Sequence, residues 1–153
     1  MPNTYTQLQV HIVFSVKGRQ NLIPKLHREQ VEKYMTGIVQ NRKHKLLAIY
    51  CMPDHVHIFV GLHPADSISN LVTAIKKASK NYVKAQDWMP FAFDWQRGYG
   101  AFSYAKSQTS AVVNYILNQE EHHKKKTFRE EYLDMLAKFE VEYDDQYLFE
   151  FYD

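Results

Sequence analysis

One cysteine among 153 residues leaves Cys51 without an internal disulfide partner, which excludes a stapled secreted scaffold and fits a reducing compartment. Five glycines and five prolines are too few for a collagen-like or low-complexity chain. No apolar run approaches the roughly 18 residues that a membrane span needs, so no membrane association is expected. The start, Met-Pro-Asn-Thr-Tyr-Thr-Gln, lacks the basic-then-apolar order of a secretory signal, and the cytoplasm is the expected location. Charge of one sign is scarce overall, with a formal net charge of +2. That total hides a division. From Glu140 onward there are six acids and no Lys or Arg, so residues 1–139 carry a net +8, an excess that attracts polyanions such as nucleic acid.

What is present is a globular composition, 45% hydrophobic and 24% charged. A chain of this length buries roughly 70% of its unfolded surface, so residues 1–153 are read as a single domain, with an acidic tail over 140–153. Residues 5–17 alternate: Leu8, Val10, Ile12, Phe14 and Val16 face one way, and Gln7, Gln9, His11 and Ser15 the other, which is a half-buried strand. Lys17 to Asn21 is a polar turn. From His27 to about Arg42, Val31, Tyr34, Met35 and Ile38 recur at helical spacing. Leu46 to Met52 is a nearly continuous apolar run, read as a strand buried on both faces. Pro53-Asp54 breaks it, and His55 to Gly61 is the next strand.

Asp66 or Ser67 caps a second helix through about Ala85, whose polar side carries Lys76, Lys77, Lys80 and Lys84. Phe91 to Trp95 and Ala101 to Tyr104 read as strand material interrupted by Arg97-Gly98-Tyr99-Gly100. Ser107 caps a third helix to about His122, and a fourth spans Phe128 to Phe139. The order β-α-β-β-α-β followed by helices predicts an α+β, ferredoxin-like (split β-α-β) antiparallel sheet with helices on one face and a C-terminal helix added.

The residues that carry chemistry begin with His55-Val56-His57. Residues two apart on a strand share a face, their Cα atoms about 6.6 Å apart, close enough for both imidazoles to reach one cation. Val56, Ile58 and Val60 face the core, so the pair lies on the open side of the sheet, joined by His11 if the first and third strands are neighbours. Isolated His-x-His tripeptides are also common on half-exposed strands. In the third helix Tyr115 and Gln119 are four apart and share a side. A tyrosine there also serves as core filler. Laid over the sheet, that helix would bring a phenol and an amide towards the two histidines.

The ordered set Met52-Pro53-Asp54-His55-Val56-His57, Trp95 to Ser103, Tyr115-Ile116-Leu117-Asn118-Gln119-Glu120-Glu121-His122-His123 and Glu142-Tyr143-Asp144 resembles the single-tyrosine HUH transposases of small insertion sequences, including the REP-associated tyrosine transposases. The likeness covers essentially the whole chain. It implies Tyr115 as nucleophile and His55, His57 and Gln119 as ligands of a divalent metal, Mg²⁺ or Mn²⁺, with no organic cofactor. It implies single-stranded DNA with a hairpin as substrate, nicked and rejoined through a covalent 5′-phosphotyrosine. It also implies a homodimer in which the tyrosine helix of one subunit can serve the histidines of the other. A phenol with a pKa near 10 needs a cation or base to act as a nucleophile at neutral pH; His11 is a candidate base.

For DNA contact the residues singled out are Lys17, Arg19, Lys76, Lys80, Lys84 and Arg97, together with His122 to Lys126, with Tyr99 available to stack on an unpaired base. The acidic tail is expected to pack as an extra strand or to cover part of the basic surface, shielding the site until DNA displaces it. Two alternatives stay open: a domesticated nickase acting on repeated palindromes, and a non-catalytic nucleic-acid-binding module, which would show aromatics where the strands here show Gln9, His11, His55 and His57.

Overall fold

Strict alternation on the first strand and on the His-x-His strand builds the centre of the fold. The computed structural model describes residues 3–19, 22–89 and 92–152. Strands β1 (Gln9–Ser15), β2 (Lys45–Cys51), β3 (His55–Gly61) and β4 (Gly100–Tyr104) form one antiparallel sheet in the order β2-β3-β1-β4. This is the ferredoxin-like order the element sequence predicts. Helices α1 (Arg28–Asn41) and α2 (Ile68–Ala85) pack on the face that carries Val10, Ile12, Phe14, Val56, Ile58 and Val60. Ser67 caps α2 by accepting a hydrogen bond from the Asn70 N–H at 2.9 Å.

The opposite face is not open. Helix α3 (Thr109–Leu117) lays Val112 and Ile116 onto Ala48 and Phe59, and the short α4 (Gln119–His123) and α5 (Phe128–Lys138) complete the cover. All seven residues of β1 are therefore buried rather than alternate ones. The third helix breaks at Asn118, whose side chain donates to the Asn114 carbonyl, so the expected single helix is two. Its start is a short 3₁₀ turn over Lys106–Gln108, not a Ser107 cap. Helix α5 begins at a capping box, Thr127 and Glu130 each satisfying the other's backbone N–H.

Other elements differ from expectation for physical reasons. The apolar run of β2 forms the sheet edge, and most of its residues are half-buried, because an edge strand has a neighbour on one side only. Trp95 forms a single bridge to Val16 and not a strand, while Phe91, like Gln20 and Asn21, lies outside the described residues. The described tail adds no strand. It packs Phe149 against Phe128 and Tyr132, and the Tyr152 hydroxyl accepts from the Gly18 N–H and donates to the Val16 carbonyl. No described helix is long and apolar enough to cross a membrane.

Gly100 sets how closely α5 approaches the sheet. A Cβ there would meet the Tyr132 ring at 2.7 Å and its hydroxyl at 2.8 Å. Gly100→Ala is expected to cost about 1–3 kcal/mol by overpacking, read in a thermal melt as a loss of about 3–10 °C in Tm. An unchanged Tm would mean that α5 is not seated there.

Candidate active site

The cross-strand register assembles the site. Val13 pairs with His57 and His11 with Phe59, so His11, His55 and His57 share the face beneath α3–α5. All three imidazoles are buried, none more than 1% exposed. Each metal-facing histidine is oriented from behind. The His55 Nδ1–H donates to Asp54 Oδ1 at 2.7 Å, and His57 Nδ1 lies 2.7 Å from His11 Nε2. With Nδ1 protonated on both, each Nε2 keeps its lone pair, the arrangement in which partners behind a ligand fix its tautomer. Burial, with the His57 ring beside it, holds the His11 pKa well below its usual value, and burial holds His57 down as well. Neutral imidazoles are what a metal site needs. His11 thus orients His57, and its ring lies 6.5 Å from that of Tyr115 between centroids.

Glu131 and His123 complete the centre; the sequence reading named His123 only among the residues for DNA contact and did not single out Glu131. The capping box at Thr127 starts α5 so that Phe128 and Glu131 fall on one side. Phe128 then stacks on the His55 ring at 3.8 Å between centroids. Glu131 Oε1 lies 3.2 Å from His57 Nε2, 3.6 Å from His55 Nε2 and 3.2 Å from His123 Nε2. Its other oxygen, Oε2, accepts from the Tyr115 hydroxyl and from the Gln119 amide N–H at 3.1 Å. Burial alone would raise the Glu131 pKa, but the surrounding His57 and His123 outweigh it and hold the carboxyl far below the usual range. For His123 burial again opposes the charged form, and Glu131 outweighs it, moving that pKa up.

The arrangement fits a divalent cation. His55 Nε2 and His57 Nε2 are buried with no hydrogen-bond partner, each a cost of about 1–3 kcal/mol that a ligated cation would remove. One ligand atom from each of His55, His57, His123 and Glu131 lies within 4.8 Å of all the others. Gln119 is fully buried, but its carbonyl oxygen pairs with His123 Nε2 at 2.9 Å. In this arrangement it holds two members of the cluster in place. The signal in the sequence was an acid on an apolar helical stripe, Phe128, Glu131, Tyr132 and Met135, since a buried carboxylate implies partners.

Tyr115 meets the histidines within one chain, its ring centroid 6.2 Å from that of His57. Burial, reinforced by the negative charge of Glu131, raises the pKa of its phenol well above the usual value. Of the residues singled out for DNA contact, His122 to Lys126 lie beside Tyr115, and the others are placed elsewhere. Lys76 donates to the Gln96 and Gly98 carbonyls at 2.8 and 2.6 Å, and burial lowers its pKa to about 8. Lys80 pairs with Asp94 at 3.4 Å, while Lys17, Arg19, Lys84 and Arg97 are exposed. Lys76 and Lys80 therefore tie α2 to the 94–98 segment. Among the described residues, no tail side chain lines the clefts beside Tyr115.

The chain is similar to known transposases in sequence and in fold. The ISDra2 transposase TnpA of Deinococcus radiodurans is 22% identical over 118 residues, covering 74% of this chain and 84% of that protein. A crystal structure of a Deinococcus radiodurans R1 protein described as a transposase superposes with a TM-score of 0.62 at 22% identity, covering 78% of this chain and 95% of the other. A REP-associated tyrosine transposase bound to a REP hairpin superposes with a TM-score of 0.60 at 15% identity, over 80% and 73% of the two chains. Residues 4–119, which include His55, His57, Tyr115 and Gln119 but stop short of His123 and Glu131, match the transposase family typified by IS200, and the chain belongs to that family.

Proposed function

We propose that the protein is a metal-dependent, single-stranded DNA transposase that nicks and rejoins DNA through a 5′-phosphotyrosine on Tyr115. The observation that carries this is one cluster in which Tyr115 donates to Glu131 while His55 Nε2 and His57 Nε2 converge on the same carboxylate at 3.6 and 3.2 Å. His55, His57 and Glu131 would hold the cation, joined by His123 once its Nε2 gives up the Gln119 carbonyl, with Asp54 and His11 orienting the two strand histidines and the Gln119 amide orienting Glu131. Bound there, the cation supplies Lewis-acid polarisation of the scissile phosphate and offsets the charge of the carboxylate. Of Mg²⁺ and Mn²⁺, a set rich in imidazole nitrogen favours Mn²⁺.

The residues of the chain then divide the work. Tyr115, oriented by its hydrogen bond to Glu131 Oε2, attacks phosphorus, and its phenolic proton leaves to water. The new bond joins the phenolic oxygen to phosphorus. The phosphorus–O3′ bond breaks, and the 3′-oxygen leaves with the electron pair and takes a proton from water. The 5′-phosphate stays on the tyrosine, and the ester conserves the energy of the cut link, so a second 3′-hydroxyl can reverse the step without ATP. Hairpin recognition at the ends of an element is carried over from the REP hairpin bound to the related transposase. That same likeness supports a second reading, a domesticated nickase acting on repeated palindromes, with identical chemistry.

The resemblance implies a homodimer with exchanged tyrosines, but here Tyr115 and His57 come from one polypeptide. We therefore propose a site complete within each subunit. Hairpin oligonucleotides incubated with the protein and Mn²⁺ should give an SDS-resistant protein–DNA adduct. Mixing Tyr115→Phe with His57→Ala protein should restore no adduct. Recovery of a substantial fraction of wild-type adduct would instead show that the tyrosine is exchanged between subunits.

A further inference from the structure

His55, His57, Gln119 and Glu131 are buried and Tyr115 is half-buried, so a phosphate reaches them through the clefts beside the tyrosine. Two clefts flank Tyr115 and share Ala111, Tyr115, His122 and Lys126. The first, of about 300 Å³, is lined by Glu131 as well, with Tyr104, Val112 and Met135 as further walls. The second, of about 610 Å³, does not include Glu131 in its lining and carries Asn114, Asn118, Glu121 and Lys125. Only the first of these two joins solvent to the carboxylate that holds the Tyr115 hydroxyl.

We infer that the first cleft, which reaches Glu131, is a nucleoside subsite for single-stranded DNA: it takes the base of the unpaired nucleotide at the scissile phosphate, while the adjoining sugar–phosphate runs along the second cleft past Lys125 and Lys126. The inference rests on the proposed role of Tyr115 and names the part of the substrate that this role must seat. The volume lies at the lower end of the about 300–1,000 Å³ range of small-molecule sites, which suits one nucleoside. Tyr104 lines the cleft, and a base that displaces the Lys138 ammonium from over its ring would gain about 1–3 kcal/mol of stacking without regard to sequence.

The mouth carries the charge a DNA backbone needs. Lys138 Nζ sits 5.7 Å from the centre of the Tyr104 ring, and Lys126 belongs to both clefts. Lys126 pairs with Asp134 on the rim, a contact at the surface that a phosphate can replace. Gln108 accepts the Ala105 N–H through its carbonyl oxygen at 2.9 Å and keeps its amide N–H groups for a base edge. The depth of the pocket explains how a sequence-tolerant contact would place one phosphodiester, and no other, against the tyrosine.

The test uses a single-stranded deoxytetranucleotide containing one 2-aminopurine, titrated with the full chain without metal. Wild-type and Tyr115→Phe proteins should quench its fluorescence saturably. Ala111→Leu, a neutral change at an exposed helix position that fills the shared wall, should weaken that binding at least tenfold. Absence of quenching, or equal quenching with Ala111→Leu, would overturn the subsite. Adduct formation on hairpin DNA with Mn²⁺ separates the two ideas. An adduct without quenching removes the subsite alone, and quenching without an adduct leaves the subsite standing and removes the phosphotyrosine.

Discussion

Tyr115→Phe is expected to bind hairpin DNA with unchanged affinity, form no covalent adduct and show no detectable nicking. The substitution removes one oxygen and nothing else. The ring keeps its place beside His57 and His122, 6.2 and 5.0 Å away between centroids, so the wall of the cleft persists. Loss of the hydrogen bond to the Glu131 carboxylate costs about 1.5–3 kcal/mol of stability at most, which a domain of this size registers as a fall of a few degrees in Tm. Loss of a covalent nucleophile costs on the order of 10⁶ in kcat where it has been measured. The two effects differ by so much that a folded, DNA-binding, inactive protein is the expected outcome. Nicking at a wild-type rate by this variant would mean that another group, or water, attacks the phosphate.

The second large effect is expected at Glu131. Glu131→Gln keeps the size and shape of the side chain and lets its amide oxygen still accept from Tyr115, but removes the charge that faces four imidazoles, those of His55, His57, His122 and His123. Residues that only orient a ligand are worth about 10–100-fold in metal affinity, so a carboxylate ligand should reach or exceed the upper end of that range. Mn²⁺ binding followed by electron paramagnetic resonance of the free ion should therefore weaken at least about 100-fold. Gln119→Ala should weaken it less, because Gln119 acts through His123 and Glu131. The reverse ranking would make Gln119 the ligand and Glu131 its support. Because Mn²⁺ affinity is read without DNA, the result does not depend on substrate choice.

Much of this was legible in local pattern. Period-two alternation put His11, His55 and His57 on one face, and four-residue spacing put Tyr115 and Gln119 on one side of a helix, because both are properties of backbone geometry. The strand order followed from the order of elements. What could not be read locally depended on distant partners. The histidine face looks open in the sequence because its polar side chains resemble those of a solvent-exposed strand; in the fold they are covered by α5, some 70 residues later. Glu131 looks like one more acid in Arg129-Glu130-Glu131, and only its place among Phe128, Tyr132 and Met135 marks it as buried. The lysine ladder of α2 read as a phosphate-binding stripe, yet Lys76 is spent on two carbonyls of a loop whose turn requires Gly98 at φ 86°. The β2 run is apolar because α1 and α3 flank it, and nothing in seven apolar residues distinguishes a sheet edge from its centre.

The account stands on a single covalent bond. Protein incubated with a hairpin oligonucleotide and Mn²⁺, digested with trypsin and nuclease and analysed by mass spectrometry, should yield a nucleotide-modified peptide carrying the 5′-phosphate on Tyr115. Attachment at a different residue, or efficient nicking with no residue modified, would contradict it.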